Sequence, residues 1–333
     1  MFRAWFLSSA ILVWLASVRA EGQAVRAFEL TYTARMTELP SGGEVRLWMP
    51  VPPESEHQKI RRLRFTVGPE LPARMGDGPA WELRETQEGR HGNRVLFAAG
   101  RTGGGAVEVS YSCEVERQEV KLDLLNSDAP LGGSRRDLYL KGDRLAPVDG
   151  VATEWADKAA GDVTDPMPAA RRLYDRVMEH MRYSKEGTGW GRGSLEWACT
   201  QGYGNCTDFH ALFTSMARAR RIPCRFEIGF SVPTERPEGE LPGYHCWAWF
   251  HVEGKGWVPV DISEADKNPQ LTDYYFGSLT ADRVQLSVGR DLELTPAPHE
   301  GPLNFFVYPH VEVNGVKHAK VERKVTYRDV VKQ

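Results

Sequence analysis

Three residue types that together perform nucleophilic acyl chemistry follow one another along this 333-residue chain: Cys206, His245 and Asp261. A cysteine thiolate can attack a carbonyl carbon, and an imidazole can take the thiol proton and later return it to the leaving group. A carboxylate can hold that imidazole in one tautomer and stabilise its cation. The three residues therefore indicate a site for acyl transfer or hydrolysis, provided that the fold brings them together.

The residues around Cys206 predict that this cysteine begins a helix. A tight turn at Gly204-Asn205 is followed by apolar residues at helical spacing, and Pro223 ends the pattern. A thiol at a helix N-terminus lies near unpaired backbone N–H groups and the positive end of the helix dipole, and both favour the reactive thiolate. The same pattern also fits a small buried cysteine in a core helix, so residues further along the chain decide between the two interpretations.

His245 and Asp261 are predicted on two neighbouring strands, and the strand register determines whether they meet. Residues 245–252 alternate, with His245 on the same face as two tryptophans, and residues 257–262 alternate with Asp261 opposite three apolar side chains. An even-length turn would place the two polar side chains on opposite faces of the hairpin. An odd-length turn or a one-residue bulge would place them on the same face, and the intervening glycines allow either. The sequence therefore predicts one of these two devices.

Four short blocks appear in one order: Gly204-Asn-Cys-Thr-Asp-Phe209, Ile222-Pro-Cys-Arg225, Tyr244-His-Cys-Trp247 and Trp257-Val-Pro-Val-Asp261. This set resembles the transglutaminase-like superfamily, whose members are relatives of papain-fold cysteine enzymes, over about residues 165–270. The resemblance implies Cys206 as nucleophile, His245 as base and Asp261 as the acid that orients the histidine.

Two residues depart from the pattern of bacterial relatives. Asn205 stands where many of them carry an aspartate, and Cys246 stands where many carry an alanine. Neither difference removes a group that the proposed chemistry needs. The segment Leu47-Trp-Met-Pro-Val-Pro52 also resembles the β domain that precedes this core in some bacterial members.

Stabilisation of an oxyanion would require the Cys206 backbone N–H and one side-chain donor. Gln201, five residues before the cysteine, resembles the glutamine of papain-like enzymes and is the predicted donor. An indole N–H from Trp190 or Trp197, as in true transglutaminases, is the alternative.

Four further histidines could compete for a role in the site. His210 lies four residues after Cys206 on the same helical face, but we interpret it as packed beneath the site because His245 has an aspartate partner. His251 shares a strand face with His245 and is predicted to be exposed, with a supporting position beside the site as the alternative. His57 and His91 stand in polar turns and are predicted to be solvated.

A zinc site is the main chemical alternative, because the cysteines and His245 could supply enough ligands. No Cys-x-x-Cys or His-x-x-x-His spacing is present, which disfavours structural zinc, and no metal or organic cofactor is implied. An odd number of cysteines leaves at least one thiol free. We expect most of the others to be small buried residues, although disulfides remain an alternative. The five are Cys113, Cys199, Cys206, Cys224 and Cys246.

The order of strand and helix patterns predicts an α+β fold with two parts. Residues 21–125 alternate in short runs separated by glycine, proline and aspartate, which indicates an N-terminal β-sandwich domain. Residues 126–165 are a predicted connector, and residues 166–310 form the transglutaminase-like (papain-like) core. A C-terminal β-hairpin is predicted over residues 311–333, with its turn at Asn314-Gly315.

Residues 1–20 have the features of a secretory signal peptide. Arg3 precedes an apolar stretch at residues 6–16, and Val18 and Ala20 fit a small-residue cleavage site. Cleavage would remove two arginines and change the formal charge from −3 to −5, which gives no indication of a nucleic-acid partner. We expect an exported protein, periplasmic or secreted, with no membrane span in the mature chain; an uncleaved N-terminal anchor is the alternative.

Taken together, these features predict a thiol-dependent hydrolase or acyltransferase that acts on an amide through a Cys206 acyl-enzyme. A peptide or protein is the expected substrate, and protease or amidase activity is favoured over cross-linking because water is the default acceptor. The alternative is a non-catalytic binding or scaffold protein of the cell envelope that keeps the fold. The complete set of Cys206, His245 and Asp261 argues against that alternative.

Overall fold

Long strands with alternating burial build the N-terminal region. The structure, a computed structural model, describes residues 23–68, 81–127, 130–241 and 243–330, so the predicted signal peptide lies outside the described residues. Six strands follow one another in this region: β1 (Val25–Leu39), β2 (Glu44–Val51), β3 (Gln58–Val67), β4 (Glu82–Gln87), β5 (Arg94–Arg101) and β6 (Gly105–Gln118).

These strands contribute to two five-stranded sheets, which are completed by strands from much later in the chain. The later strands are β10 (Glu238–Glu240), β14 (His310–Val313), β15 (Val316–Lys317) and β16 (Val321–Asp329). One sheet has the order β10-β16-β1-β6-β3 and the other β15-β14-β2-β5-β4. Leu30 and Tyr32 of the first sheet are fully buried in one apolar cluster with Leu47 and Leu96 of the second, as a sandwich requires.

The C-terminal residues do not form the separate hairpin that the sequence predicts. The turn at Asn314-Gly315 is present, but it joins β14 to the two-residue strand β15. β14 pairs with β2, whereas β16 crosses to the other sheet and pairs with β1 from Phe28 to Met36. Alternation identifies a strand but not the partner strand with which it pairs, and here one segment of the chain contributes strands to both sheets.

The second part of the fold combines helices with a four-stranded antiparallel sheet of order β12-β11-β9-β13. A parallel pair, β7 with β8, lies beside it. This arrangement agrees with the predicted α+β core. Its elements are α1 (Gly133–Leu140), α2 (Val151–Ala160), α3 (Pro166–His180), β7 (Arg182–Tyr183), α4 (Leu195–Gln201), β8 (Tyr203–Gly204), α5 (Cys206–Ala219), β9 (Cys224–Ser231), β11 (His245–Val252), β12 (Gly256–Val260), α6 (Ile262–Lys267) and β13 (Arg283–Val288).

Both faces of β11 are covered, and this fixes where the candidate residues lie. Ala248 and Phe250 belong to the apolar cluster that contains the buried face of α5. Trp247 and Trp249 point to the opposite face, where they pack against Val120 and Leu279. The helix that begins at Cys206 therefore lies on one side of the strand that begins at His245.

Candidate active site

A capping box positions Cys206 at the first turn of α5, as the sequence predicts. The Asn205 side chain accepts a hydrogen bond from the Thr207 N–H at 3.0 Å, and the Asp208 carboxylate accepts one from the Asn205 N–H at 3.0 Å. These two bonds satisfy donors that a helix start leaves free. The Cys206 N–H has no hydrogen-bond partner among the described residues. It is therefore available to a bound group.

Asp208 also fixes the glycine-rich loop that precedes the cysteine. Its carboxylate accepts hydrogen bonds from the N–H groups of Gly191 at 2.6 Å and Gly193 at 3.0 Å. Both glycines have positive φ angles, which residues with a Cβ rarely adopt. A buried carboxylate thus joins the loop and the helix start into one unit.

The hairpin of β11 and β12 has the odd turn that the sequence predicts. Val252 pairs with Gly256, which leaves a three-residue loop and keeps His245 and Asp261 on the same face. The Nε2 atom of His245 lies 2.7 Å from Oδ2 of Asp261. His245 is 4% exposed and Asp261 is fully buried, so this bond is shielded from water.

The thiol of Cys206 and the imidazole of His245 lie close enough for each to shift the pKa of the other. Because Nε2 of the imidazole is directed at Asp261, Nδ1 is the nitrogen left for the sulfur. The structure therefore brings Cys206, His245 and Asp261 into one series, although their separation in the sequence is large.

The electrostatics of the series favour a thiolate beside an imidazolium. Burial raises the pKa of the Cys206 thiol, but hydrogen bonds with Cys246 and His245 lower it more, so the pKa lies well below its usual range. Burial lowers the pKa of His245, while Asp261 and the sulfur raise it, with a net rise to about 9. At pH values above the pKa of Cys206 and below that of His245, the proton resides on the histidine.

Arg283 is a member of the site that the sequence analysis missed. Its Nη1 donates to Oδ2 of Asp261 at 3.0 Å, and its guanidinium lies 4.8 Å from the ring centre of Trp247. Burial raises the pKa of Asp261, but His245 and Arg283 outweigh it and hold the carboxyl ionised. A single arginine in an apolar strand gives no signal in the sequence that would identify this contact.

His210 lies beneath the site, as the sequence analysis predicts, and both ring nitrogens are occupied. The Ile262 N–H donates to Nε2 at 3.1 Å, so Nε2 is an acceptor and Nδ1 carries the proton that is donated to the Cys206 carbonyl at 2.7 Å. Burial lowers the pKa of His210. A neutral imidazole therefore joins the first turn of α5 to the residue after Asp261.

The predicted side-chain donor for an oxyanion is not placed at the sulfur. Gln201 is exposed at the end of α4, and its amide contacts Thr200 at 3.5 Å. The indole N–H groups of the two alternatives donate to backbone carbonyls, Trp190 to Gly187 and Trp197 to Tyr203. The role of Gln201 stays a prediction that no contact in the structure supports.

Tyr183 is a half-buried residue near the sulfur that the sequence analysis did not select. It pairs with Gly204 in the parallel bridge of β7 and β8, two residues before the cysteine. Burial and the nearby Cys206 raise the pKa of its hydroxyl to about 12, so the group is a neutral donor. Its hydroxyl has no hydrogen-bond partner within the described part of the chain.

Three of the predictions about histidines are wrong. His251 is 6% exposed and packs edge-on against Trp257, rather than facing solvent. His57 stacks on Trp249 with ring centres 5.7 Å apart, and burial lowers its pKa to about 4. Burial also lowers the pKa of His91. Elements distant in the chain cover these rings, and local sequence patterns carry no signal of such contacts.

The five cysteines all lie in described segments and all are free thiols. Over residues 23–68, 81–127, 130–241 and 243–330, no group of three or more His, Cys, Asp or Glu side chains is arranged to hold a metal ion. In the same ranges, the helices are too short or too polar to cross a bilayer.

Comparisons with known proteins identify a matching family model and a similar sequence. Residues 153–262 match the family model of the transglutaminase-like superfamily. An uncharacterized protein of Haemophilus influenzae is 27% identical over 334 aligned positions, which cover 86% of each chain.

One solved structure shares the fold of this chain. A candidate cysteine protease from Cytophaga hutchinsonii aligns with a TM-score of 0.57 at 16% identity, over 94% of this chain and 93% of that one. The two chains therefore share a fold along almost their whole length. The periplasmic domain of TgpA from Pseudomonas aeruginosa aligns with a TM-score of 0.37 at 14% identity, over 76% of this chain and 94% of that one.

Proposed function

This chain belongs to the transglutaminase-like superfamily through residues 153–262, and on that premise we propose that it is a thiol-dependent hydrolase of peptide amides. The observation that carries the proposal is the arrangement of the Cys206 thiol beside His245, which is itself hydrogen-bonded to Asp261. This is the order of groups that acyl transfer to a thiol requires.

In the proposed reaction, the Cys206 thiolate attacks the carbonyl carbon of the substrate amide, and the carbonyl oxygen takes the negative charge. The imidazolium of His245 then gives its proton to the leaving nitrogen, the C–N bond breaks, and a thioester to Cys206 remains. Neutral His245 next takes a proton from a water molecule, which attacks the thioester carbon. The C–S bond breaks, the acid is released, and the Cys206 thiolate and the His245 imidazolium are restored. Asp261 keeps the imidazole in one orientation and stabilises its cation throughout.

Two donors are proposed for the oxyanion. The first is the Cys206 N–H, which the capping box leaves unbonded. The second is the Tyr183 hydroxyl, because this group is neutral, lies near the sulfur and has no partner in the described segments. Preorganised donors of this kind stabilise developing charge without reorganising during the reaction.

Water is the proposed acceptor, and the protein is proposed to act outside the cytoplasm on peptides or proteins. The signal-peptide features of residues 1–20 support export. Transfer of the acyl group to an amine, which would make the protein a cross-linking enzyme, differs only in the second half of the reaction. Product analysis distinguishes the two outcomes.

The test is a screen of peptides and cell-wall peptide fragments with mass detection of a covalent adduct on the protein. We expect an acyl adduct on Cys206 and loss of turnover in Cys206→Ala, with Cys199→Ala as the matched control. Turnover of Cys206→Ala within about tenfold of the wild type would contradict the proposal, since losing a nucleophile costs far more.

A non-catalytic scaffold is the second candidate, and one observation favours it: Cys206 is only 1% exposed. Iodoacetamide labelling separates the two functions. Rapid labelling of Cys206 near neutral pH, slowed in His245→Ala, supports the hydrolase because the thiolate depends on the imidazolium. Slow labelling in the wild type supports the scaffold.

A further inference from the structure

A second thiol lies beside the candidate nucleophile. Cys246 follows His245 on β11, is fully buried, and lowers the pKa of the Cys206 thiol. Its Sγ lies 3.5 Å from Nδ1 of His210, whose proton is donated to the Cys206 carbonyl. Both cysteines belong to one apolar cluster, so two sulfur atoms share a dry space at the start of α5.

The other three cysteines lack this environment. Burial raises the pKa of Cys113 to about 12, of Cys199 to about 11 and of Cys224 to about 12, so these thiols stay protonated near neutral pH. Oxidants of the hydroperoxide class react with thiolates, and Cys206 is the cysteine held in that form. Oxidation is therefore expected to begin at Cys206, which has a second thiol beside it in the same buried cluster.

We propose that Cys206 and Cys246 form a reversible oxidation site, at which a hydroperoxide converts the two thiols into a disulfide. The Cys206 thiolate attacks the terminal oxygen of the peroxide, an S–O bond forms, the O–O bond breaks, and an alcohol or water leaves with a proton. The product is a sulfenic acid on Cys206. The sulfur of Cys246 then attacks the Cys206 sulfur, the S–OH bond breaks, and the departing hydroxide takes the Cys246 proton to form water.

The positions of the two cysteines favour the second step, in which Cys246 attacks the sulfenic acid, and the resulting disulfide has structural consequences. A disulfide requires Cβ atoms about 3.5–4.5 Å apart. One nitrogen of His210 lies 3.5 Å from the Cys246 sulfur and 2.7 Å from the Cys206 carbonyl oxygen, and both cysteines are buried in one cluster, so a local movement can bring their side chains together. The bond would remove the nucleophile and join α5 to β11. It would also intercept the sulfenic acid before a second peroxide converts it to a sulfinic acid, which thiols do not reduce. We therefore assign Cys246 the role of resolving cysteine, the thiol that converts the sulfenic acid into a disulfide.

The experiment treats the full chain with hydrogen peroxide and follows the thiols by mass. We expect the wild type to lose two hydrogen atoms, to give a linked pair of peptides that contain Cys206 and Cys246, and to recover its iodoacetamide labelling after dithiothreitol. Cys199 lies on the same tryptic peptide as Cys206, so Cys199→Ala is the control that should behave as the wild type does. In Cys246→Ala, we expect Cys206 to gain two oxygen atoms and to stay unlabelled after dithiothreitol.

Conversion of wild-type Cys206 to a sulfinic acid as fast as in Cys246→Ala, with no linked peptide, would overturn the proposal. The proposal rests on the reactive thiolate of the proposed function but not on turnover, so the two can fail separately. If Cys206 labels rapidly with iodoacetamide yet forms no disulfide, only the oxidation site is refuted. If Cys206 does not label, both the oxidation site and the proposed hydrolase are refuted.

Discussion

Arg283 and His245 donate to the same oxygen of Asp261. Oδ2 lies 2.7 Å from Nε2 of His245 and 3.0 Å from Nη1 of Arg283, while Oδ1 faces the Ser263 hydroxyl and the Glu264 N–H, each at 3.3 Å. Asp261 is fully buried, and its charge is balanced by two cations rather than by water. The orientation of the histidine thus depends on an arginine that the sequence pattern does not reveal.

Replacing Arg283 is expected to change the protonation of His245. Arg283→Met removes a cation from the far side of Asp261, so the imidazolium loses a repelling charge and the pKa of His245 should rise above about 9. The alkaline limb of kcat/KM should therefore move to higher pH, while kcat falls because Asp261 is less firmly held. Arg283→Lys keeps the charge and is the control. An alkaline limb that stays in place in Arg283→Met would contradict this account.

The pH dependence of labelling tests the thiolate directly. Because the pKa of Cys206 is lowered and that of His245 is raised to about 9, the ion pair should persist across the neutral range. Iodoacetamide labelling should already be fast below pH 7, and kcat/KM should fall as pH rises through about 9, where the imidazolium loses its proton. In His245→Ala the labelling limb should move to alkaline pH, since burial then dominates the pKa of the thiol. Identical limbs in both proteins would show that His245 does not activate Cys206.

The elements that position the site could be predicted where they depend on residues close together in the sequence. The helix start at Cys206 depends on a turn and a periodic run, and the odd turn depends on counting residues between two strands. The α+β class and the N-terminal sandwich follow from the same patterns. The predictions that failed concern which elements pack against one another. The pairing of β16 with β1 and the burial of His57 against Trp249 join segments that are far apart in the chain.

His210 is expected to act as a positioning residue. It bridges the Cys206 carbonyl and the Ile262 N–H, and an apolar replacement would leave the Ile262 N–H without its partner at a cost of about 1–3 kcal/mol. His210→Leu should lower the unfolding midpoint and reduce kcat about tenfold, with little change in KM. His210→Gln can restore one bond and should recover part of kcat. If His210→Leu lowers stability but leaves kcat and the pH limb of labelling unchanged, the residue is merely structural.

Tyr183 is expected to stabilise the oxyanion. Its hydroxyl is neutral, near the Cys206 sulfur, and without a partner in the described segments, and the Lys267 ammonium lies 4.1 Å from its ring centre on the side of α6. Loss of one such donor typically costs about 10²–10³ in kcat, so Tyr183→Phe should lower kcat by at least about tenfold while KM and the labelling rate of Cys206 stay near wild type. Gln201→Ala removes the exposed amide and should leave kcat within about twofold. Labelling is included because alkylation by iodoacetamide requires the thiolate but forms no oxyanion. A variant that labels normally but turns over slowly has lost stabilisation of the transition state, whereas equal losses in both measurements would assign Tyr183 to the activation of the thiol instead.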